Sequence, residues 1–249
     1  YYYADTLFQG IRASHWLVGG CTQDYGSFTI AALSGKLDGD EYRRATPFRH
    51  SGETSHPYYY AVRLLKEHLQ IEVTALSHTA ALRITPWRNG PVHVVLTVNS
   101  DEHQASIDTD TLHKRVTATN PVHRIYQGWG QPAGFSGHIA LTYTGHIVEL
   151  RQQDNVVVLT FEGKRGVPLN LMAAPSFTSA QGAIANLKAE GDSFERMEQK
   201  SVDLWTQRLH TIDIDDADND RINQFYGALY RASFLPREMS DCDGSYPRF

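Results

Sequence analysis

The side chains best suited to chemistry crowd into one run. Between Gly10 and Ser27 the sequence places Arg12, His15, Trp16, Cys21, Asp24 and Tyr25, which supply a guanidinium, an imidazole, an indole, a thiol, a carboxylate and a phenol. Glycines at 10, 19, 20 and 26 interrupt the run, so no regular helix or strand is expected to pass through it. Trp and Tyr faces can stack on sugar rings, and Arg, His and Asp can fix hydroxyl groups. A projecting loop of this kind suits a binding wall on a β scaffold. The bland alternative is a loop whose aromatics cap the core. A second group, His50, Glu53 and His56, has residue types that can ligate an ion. At this spacing before a strand, tying down a loop by hydrogen bonds is the favoured reading. Asp241 and Asp243, in the tail Ser240 to Tyr246, are read with His50 and Glu53 as interface or structural support. The acidic run Asp215 to Asp220 resembles a calcium loop at first sight, but it lacks the glycine and distal glutamate of an EF-hand. It is read as the cap of the helix that follows.

Other chemistries find no footing. There is no Gly-x-Ser-x-Gly elbow for a serine nucleophile and no phosphate-cradling glycine loop. No pair of short Cys/His spacings makes a zinc site. An inverting glycosidase needs two carboxylates roughly 6.5–9.5 Å apart, and no stretch offers an evident sheltered pair. No catalytic residue and no metal ligand is therefore assigned.

The elements that must position the opening run come next. From Phe28 to about Phe177 the hydrophobic period is close to two. Strands are expected at residues 28–33, 58–64, 70–76, 81–85, 92–98, 123–126, 136–143, 146–150 and 155–161, with turn signals such as Asn89-Gly90-Pro91 and Asn99-Ser100-Asp101 between them. Many strands without intervening helices indicate a mainly β fold, a large antiparallel sandwich. Residues 179–190 and a segment capped by Ser193 read as helices, followed by a short strand at 211–214 and a helix from Arg221 to Leu235. Trp205 and Leu209 are expected on a linker helix against the sandwich, with Phe225, Leu229 and Tyr230 facing a second helical layer. This divides the chain into a sandwich domain (1–178), linker helices with a short strand (179–214), and the start of a truncated helical domain (215–249).

The 249 residues suffice for one large β domain and part of another, and the net charge of −5 with no basic block argues against nucleic acid as a partner. No apolar run approaches the length of a membrane span. The chain opens on Tyr1-Tyr2-Tyr3-Ala4-Asp5, without the basic start and apolar block of a signal peptide. Cys21 and Cys242 are the only cysteines, and one candidate pair is weak evidence for an oxidising compartment.

Four stretches in order resemble glycoside hydrolase family 92, the calcium-dependent exo-α-mannosidases. They are Tyr2-Tyr3-Ala4-Asp5 through Gly10-Ile11-Arg12-Ala13-Ser14-His15 to Asp24-Tyr25-Gly26; Phe48-Arg49-His50-Ser51-Gly52-Glu53 to Val62; Phe225-Tyr226-Gly227-Ala228-Leu229-Tyr230-Arg231; and Ser240-Asp241-Cys242-Asp243-Gly244-Ser245-Tyr246. The resemblance implies an N-terminal β-supersandwich lacking one edge, linker helices, and the first helix of an α/α toroid. It implies a general acid, a general base and most calcium ligands in a helical part beyond Phe249, on which this chain packs. It implies removal of terminal α-linked mannose from N-glycans or mannan, of the α-1,2 type, with inversion and calcium assistance. In that setting Arg12, His15, Trp16, Cys21, Asp24 and Tyr25 form one wall of the sugar pocket. The segment Trp16 to Gln23 departs from the commoner family loops, which bears on linkage preference. The expected location is secreted or periplasmic. The alternative is a carbohydrate-binding sandwich module without catalysis.

Overall fold

The structure, a computed structural model, describes residues 3–13, 27–37, 45–100, 104–123, 132–234 and 238–247. In chain order the strands are β1 (Leu7–Phe8), β2 (Ile11–Ala13), β3 (Phe28–Ser34), β4 (Thr46–Pro47), β5 (Glu53–His56), β6 (Tyr59–Leu64), β7 (Leu69–Ala75) and β8 (Ala80–Pro86). They continue as β9 (Gly90–Val98), β10 (Ser106–Asp110), β11 (Arg115–His123), β12 (Pro132–Tyr143), β13 (Ile147–Gln153), β14 (Val156–Gly163) and β15 (Leu169–Ser176). Three helices follow: α1 (Ala180–Glu190), α2 (Phe194–Leu209) and α3 (Asn219–Ala232).

Among the described residues the strands build an eight-stranded sheet, in the order β10-β11-β12-β15-β8-β7-β6-β5, and a five-stranded sheet, β13-β14-β9-β3-β2. The pairings are antiparallel throughout, and β1 pairs separately with β4. The expected antiparallel sandwich is the observed fold. Its core lies between the sheets. Phe28, Ile30, Val94, Leu96, Val157 and Leu159 of the smaller sheet meet Leu64, Ile71, Leu82, Ile84, Ile139, Leu141 and Leu171 of the larger one. Burying each large side chain contributes about 1.5–3 kcal/mol, so the strict alternation sets the register. Along β12, Ile139 and Leu141 point into this core while Ala140 faces outward.

The outward face of the larger sheet carries the helices. Ser179 caps α1 by accepting from the Gly182 amide, and Ala183, Ile184 and Leu187 settle on Ala140 and Ala174. Ser193 caps α2, whose Phe194 and Met197 cover Ala81. Beneath the start of α2 lies a polar cluster whose groups bond to one another. Arg83 gives two bonds to Glu72 (3.0 and 2.8 Å) and one to Glu195 (2.7 Å), and its guanidinium lies 4.1 Å over the Phe194 ring. Burial alone would raise the Glu72 carboxyl, but the bonds from Arg83 and Tyr59 outweigh it and hold the group below its usual range.

Some local expectations are corrected. The two buried anchors near the start of α2 hold it to the sandwich, whereas Trp205 packs on Tyr230 (5.0 Å between rings) and Phe234 (6.3 Å) of the last helix and its end. The short strand at 211–214 is absent. Among the described residues the segment pairs with no strand, and Ile212 is left 49% exposed. Helix α3 starts two residues earlier than expected, because Asp218 serves as its cap by accepting from the Asp220 amide. Strands β10, β11 and β15 were not separated by sequence periodicity. In the 123–126 segment, His123 ends β11 and the rest lies outside the described residues.

Candidate functional site

The opening run turns out to be carried on a hairpin. Strands β2 and β3 pair through Ile11 with Ile30, Arg12 with Thr29, and Ala13 with Phe28. Gly10 (φ +119°) admits the approach, since a Cβ there would lie 2.7 Å from the Ile30 carbonyl oxygen and 2.8 Å from Thr29 Cγ2. Ile11 packs on the core, so Arg12 takes the outer face of the smaller sheet, where it is exposed. His15, Trp16, Cys21, Asp24 and Tyr25 lie outside the described residues.

The downstream stem of the hairpin is fixed by two asparagines. Asn120, on β11 of the larger sheet and 2% exposed, donates to the carbonyls of Ser27 (3.0 Å) and Asn99 (3.1 Å), bridging the sheets. Asn99 donates through Nδ2 to the Ser27 hydroxyl (2.8 Å) and to Thr29 Oγ1 (3.0 Å), and its amide bonds the Ser27 carbonyl (3.0 Å). Sequence reasoning saw Asn99 only as a turn signal and passed over Asn120. The available signal was an amide at the inward position of the alternation Val116, Ala118, Asn120. A buried amide at such a position must find partners.

At the same end of the sandwich, on its helical side, Asp241 is 4% exposed and serves as a hub. Ser176 Oγ (2.8 Å), the Thr178 hydroxyl and Asn186 Nδ2 (2.8 Å) all donate to its carboxylate. Asn186 in turn accepts from the Cys242 amide (2.9 Å). The fit leaves no space: a Cβ on Gly182 would come within 2.5 Å of Asp241 Oδ2. Asp243 accepts from the Ser245 amide (2.9 Å), which holds its carboxyl below the usual range. Nearby, burial pushes the His138 imidazole down, opposed by the Asp241 charge. Cys242 is a free, exposed thiol. Arg12 and Asp241 thus share one end of the sandwich but sit on its opposite outer faces.

His50 and Glu53 form a separate clasp beside β5. His50 Nδ1 lies 2.5 Å from Glu53 Oε2 and its Nε2 lies 2.7 Å from the Tyr3 carbonyl oxygen. Both partners are acceptors, so both ring nitrogens must donate and the imidazolium is the form that fits. The Glu53 bond is the main cause of a raised His50 pKa, and the Tyr3 carbonyl and the Asp5 charge add to it. Tyr3 stacks on the His50 ring (4.4 Å), and Tyr60 donates to Glu53 Oε1 (2.6 Å). His56 points elsewhere and stacks on Tyr58 (5.3 Å). Among the described residues no group of three His, Cys, Asp or Glu side chains could hold a metal ion. The described residues thus offer no cluster of three carboxylates for a calcium ion.

Comparison with known proteins gives this arrangement its context. The profile of the glycosyl hydrolase family 92 N-terminal domain matches residues 1–185, and that of the family's catalytic domain matches residues 182–249. The family 92 inverting mannosidase BT2199 of Bacteroides thetaiotaomicron VPI-5482 superposes over 98% of this chain, with a TM-score of 0.85 and 25% identity. The family 92 α-mannosidase BT3965 of Bacteroides thetaiotaomicron, solved also in complex with mannoimidazole, superposes over 99% with a TM-score of 0.80 and 19% identity. The chain spans 35% of the first of these structures and 37% of the second, about a third of their length. No curated protein matches it. A sandwich of this build, with helices on one face, has the fold of the family 92 N-terminal domain. The chain belongs to glycosyl hydrolase family 92.

Proposed function

We propose that the chain is the sandwich and linker portion of an inverting α-mannosidase that removes terminal mannose from N-glycans or mannan, with preference for α-1,2 linkages. One observation carries the reading: nearly the whole chain follows the fold of an inverting family 92 mannosidase at 25% identity. Arg12 and the groups that follow it on the β2–β3 hairpin form one wall of the sugar pocket, donating to hydroxyls and offering aromatic faces. The general acid and base come from the part of the enzyme that this chain does not span. Asp241 supports that division, because its carboxylate is already occupied by three donors and holds the tail in place. Calcium assists from ligands outside the described residues. The enzyme is secreted or periplasmic and packs its helical portion onto α3.

The test is to follow hydrolysis of α-1,2-, α-1,3- and α-1,6-mannobiose by the full-length protein with proton NMR, with and without calcium chelation. The expected first product is β-mannose, released fastest from the α-1,2 substrate and lost on chelation. Binding of mannan without release of mannose from any substrate would instead identify a carbohydrate-binding module.

A further inference from the structure

One buried and one partly exposed asparagine, Asn120 and Asn99, sit beside the start of β3, and neither is a group that would touch a sugar. We infer that Asn120 and Asn99 are positioning residues for Arg12 as a sugar-binding group: they lock the start of β3 in register and thereby aim Arg12 on the neighbouring strand β2. The inference rests on the mannosidase reading for its substrate.

Ser27, the last residue before β3, is 1% exposed, and its carbonyl receives both Asn120 Nδ2 and the Asn99 amide. Its hydroxyl receives Asn99 Nδ2. Thr29, the register partner of Arg12, exchanges bonds with Asn99 at 3.0 and 3.1 Å. The Ser27 carbonyl and hydroxyl and the Thr29 hydroxyl are thus tied to Asn99, just past β9, and to Asn120 of the opposite sheet. Strand β2 has three residues and lies at the edge of the sheet, so it has one neighbour, β3, to define its position. A shift of the β3 start is therefore passed directly to Arg12. Asn120 is the longer reach, because it crosses between sheets and also holds the Asn99 carbonyl. The same strand β9 offers an internal contrast at its other end. His93, 4% exposed, bonds Thr160 Oγ1 (3.0 Å) and the Gly35 carbonyl (2.7 Å) far from the hairpin.

The experiment compares Asn120→Ala, Asn99→Ala and His93→Ala in the full-length enzyme, reading kcat, KM and melting temperature. All three substitutions lower the melting temperature. The two asparagine variants raise KM for an aryl α-mannoside, with kcat/KM falling about ten-fold or more for Asn120→Ala and less for Asn99→Ala, as a small misplacement of binding groups requires. His93→Ala leaves KM within about two-fold, the scatter of a purely structural change away from the site. If Asn120→Ala yields no folded enzyme, Asn99→Ala decides alone, since it lies at the partly exposed rim. Unchanged KM in the folded asparagine variants overturns the inference. A wild-type enzyme inactive on every α-mannoside sinks the mannosidase reading instead. Hydrogen exchange at the Arg12, Ala13 and Phe28 amides then decides: faster exchange in the asparagine variants alone upholds positioning, and equal rates in all variants overturn it.

Discussion

The two ends of the sandwich are held together by different means. At the far end, tight turns are laced by backbone bonds, Gly35 N to Pro91 O (3.1 Å), Trp87 N to His68 O (2.8 Å) and Gly166 N to Pro86 O (2.8 Å), with Glu67, Asn89 and His93 adding side-chain bonds. At the hairpin end, asparagine side chains do the lacing. Asn120, Asn99, Asn186 and Asn155 each reach a carbonyl, hydroxyl or carboxylate of another segment. Backbone lacing survives most substitutions, since every residue but proline carries the same groups. Side-chain lacing depends on residue identity. The far end is therefore held in part whatever its sequence, whereas the hairpin end rests more heavily on asparagine side chains, as a surface that must meet a ligand requires.

The largest expected effect is at the hub of the hairpin end. Asp241→Ala strips the acceptor from Ser176, Thr178 and Asn186, and at about 1–3 kcal/mol for each buried donor left unpaired a loss of at least about 3 kcal/mol is expected. Thermal unfolding of the full-length protein measures it, and an unchanged melting temperature would show that the tail is held by other contacts. Arg12→Ala comes next and should act on activity and not on stability. Losing a charged hydrogen bond to substrate costs about ten- to hundred-fold in kcat/KM. A sharp fall in melting temperature with intact turnover of the folded fraction would make Arg12 structural.

Smaller effects probe the far end and the clasp. Glu67 is 6% exposed and accepts from the Ser34 amide (3.0 Å) and Thr46 Oγ1 (3.0 Å). Glu67→Gln replaces one acceptor oxygen with a donor, costing about 1–2 kcal/mol with no change in KM; a raised KM would erase the contrast between the ends. The His50 clasp gives the smallest signal. Its pKa is raised above the ordinary 6.5 by the Glu53 bond, so its contribution is fully present below about that pH and fades as pH climbs through the folded value. Hydrogen exchange of the Thr6 to Phe8 amides should accelerate from pH 6 to pH 9 beyond the intrinsic pH effect. His50→Gln should abolish the excess, and a persistent excess would rule His50 out as its source.

The sequence made the framework legible where burial is continuous and strong, as in Val92 to Val98 and Val156 to Phe161. It failed where polar residues face outward on an edge: Ser106-Ile107-Asp108-Thr109-Asp110 alternates, but through Thr and Asp, so β10 carries little apolar signal. The strand expected at Thr211 to Ile214 had the right residue types and no partner edge, which only tertiary structure can supply. Residue chemistry drew attention to Arg12, and the family resemblance to the Asp241 tail. The asparagine lacing stayed hidden because a buried amide and a turn amide are the same letter.

One feature of the helical layer has a mechanical meaning. Helix α2 is gripped at its start by the sheet and at its end by the aromatic rings of α3. Sixteen residues make a rod of about 24 Å. A rod clamped at both ends acts as a strut: it resists compression between the sandwich and whatever α3 supports. The gap between the two then has a fixed span, set by the length of one helix. Lengthening or shortening α2 by a turn would move the two bodies by about 5 Å, more than the length of a hydrogen bond.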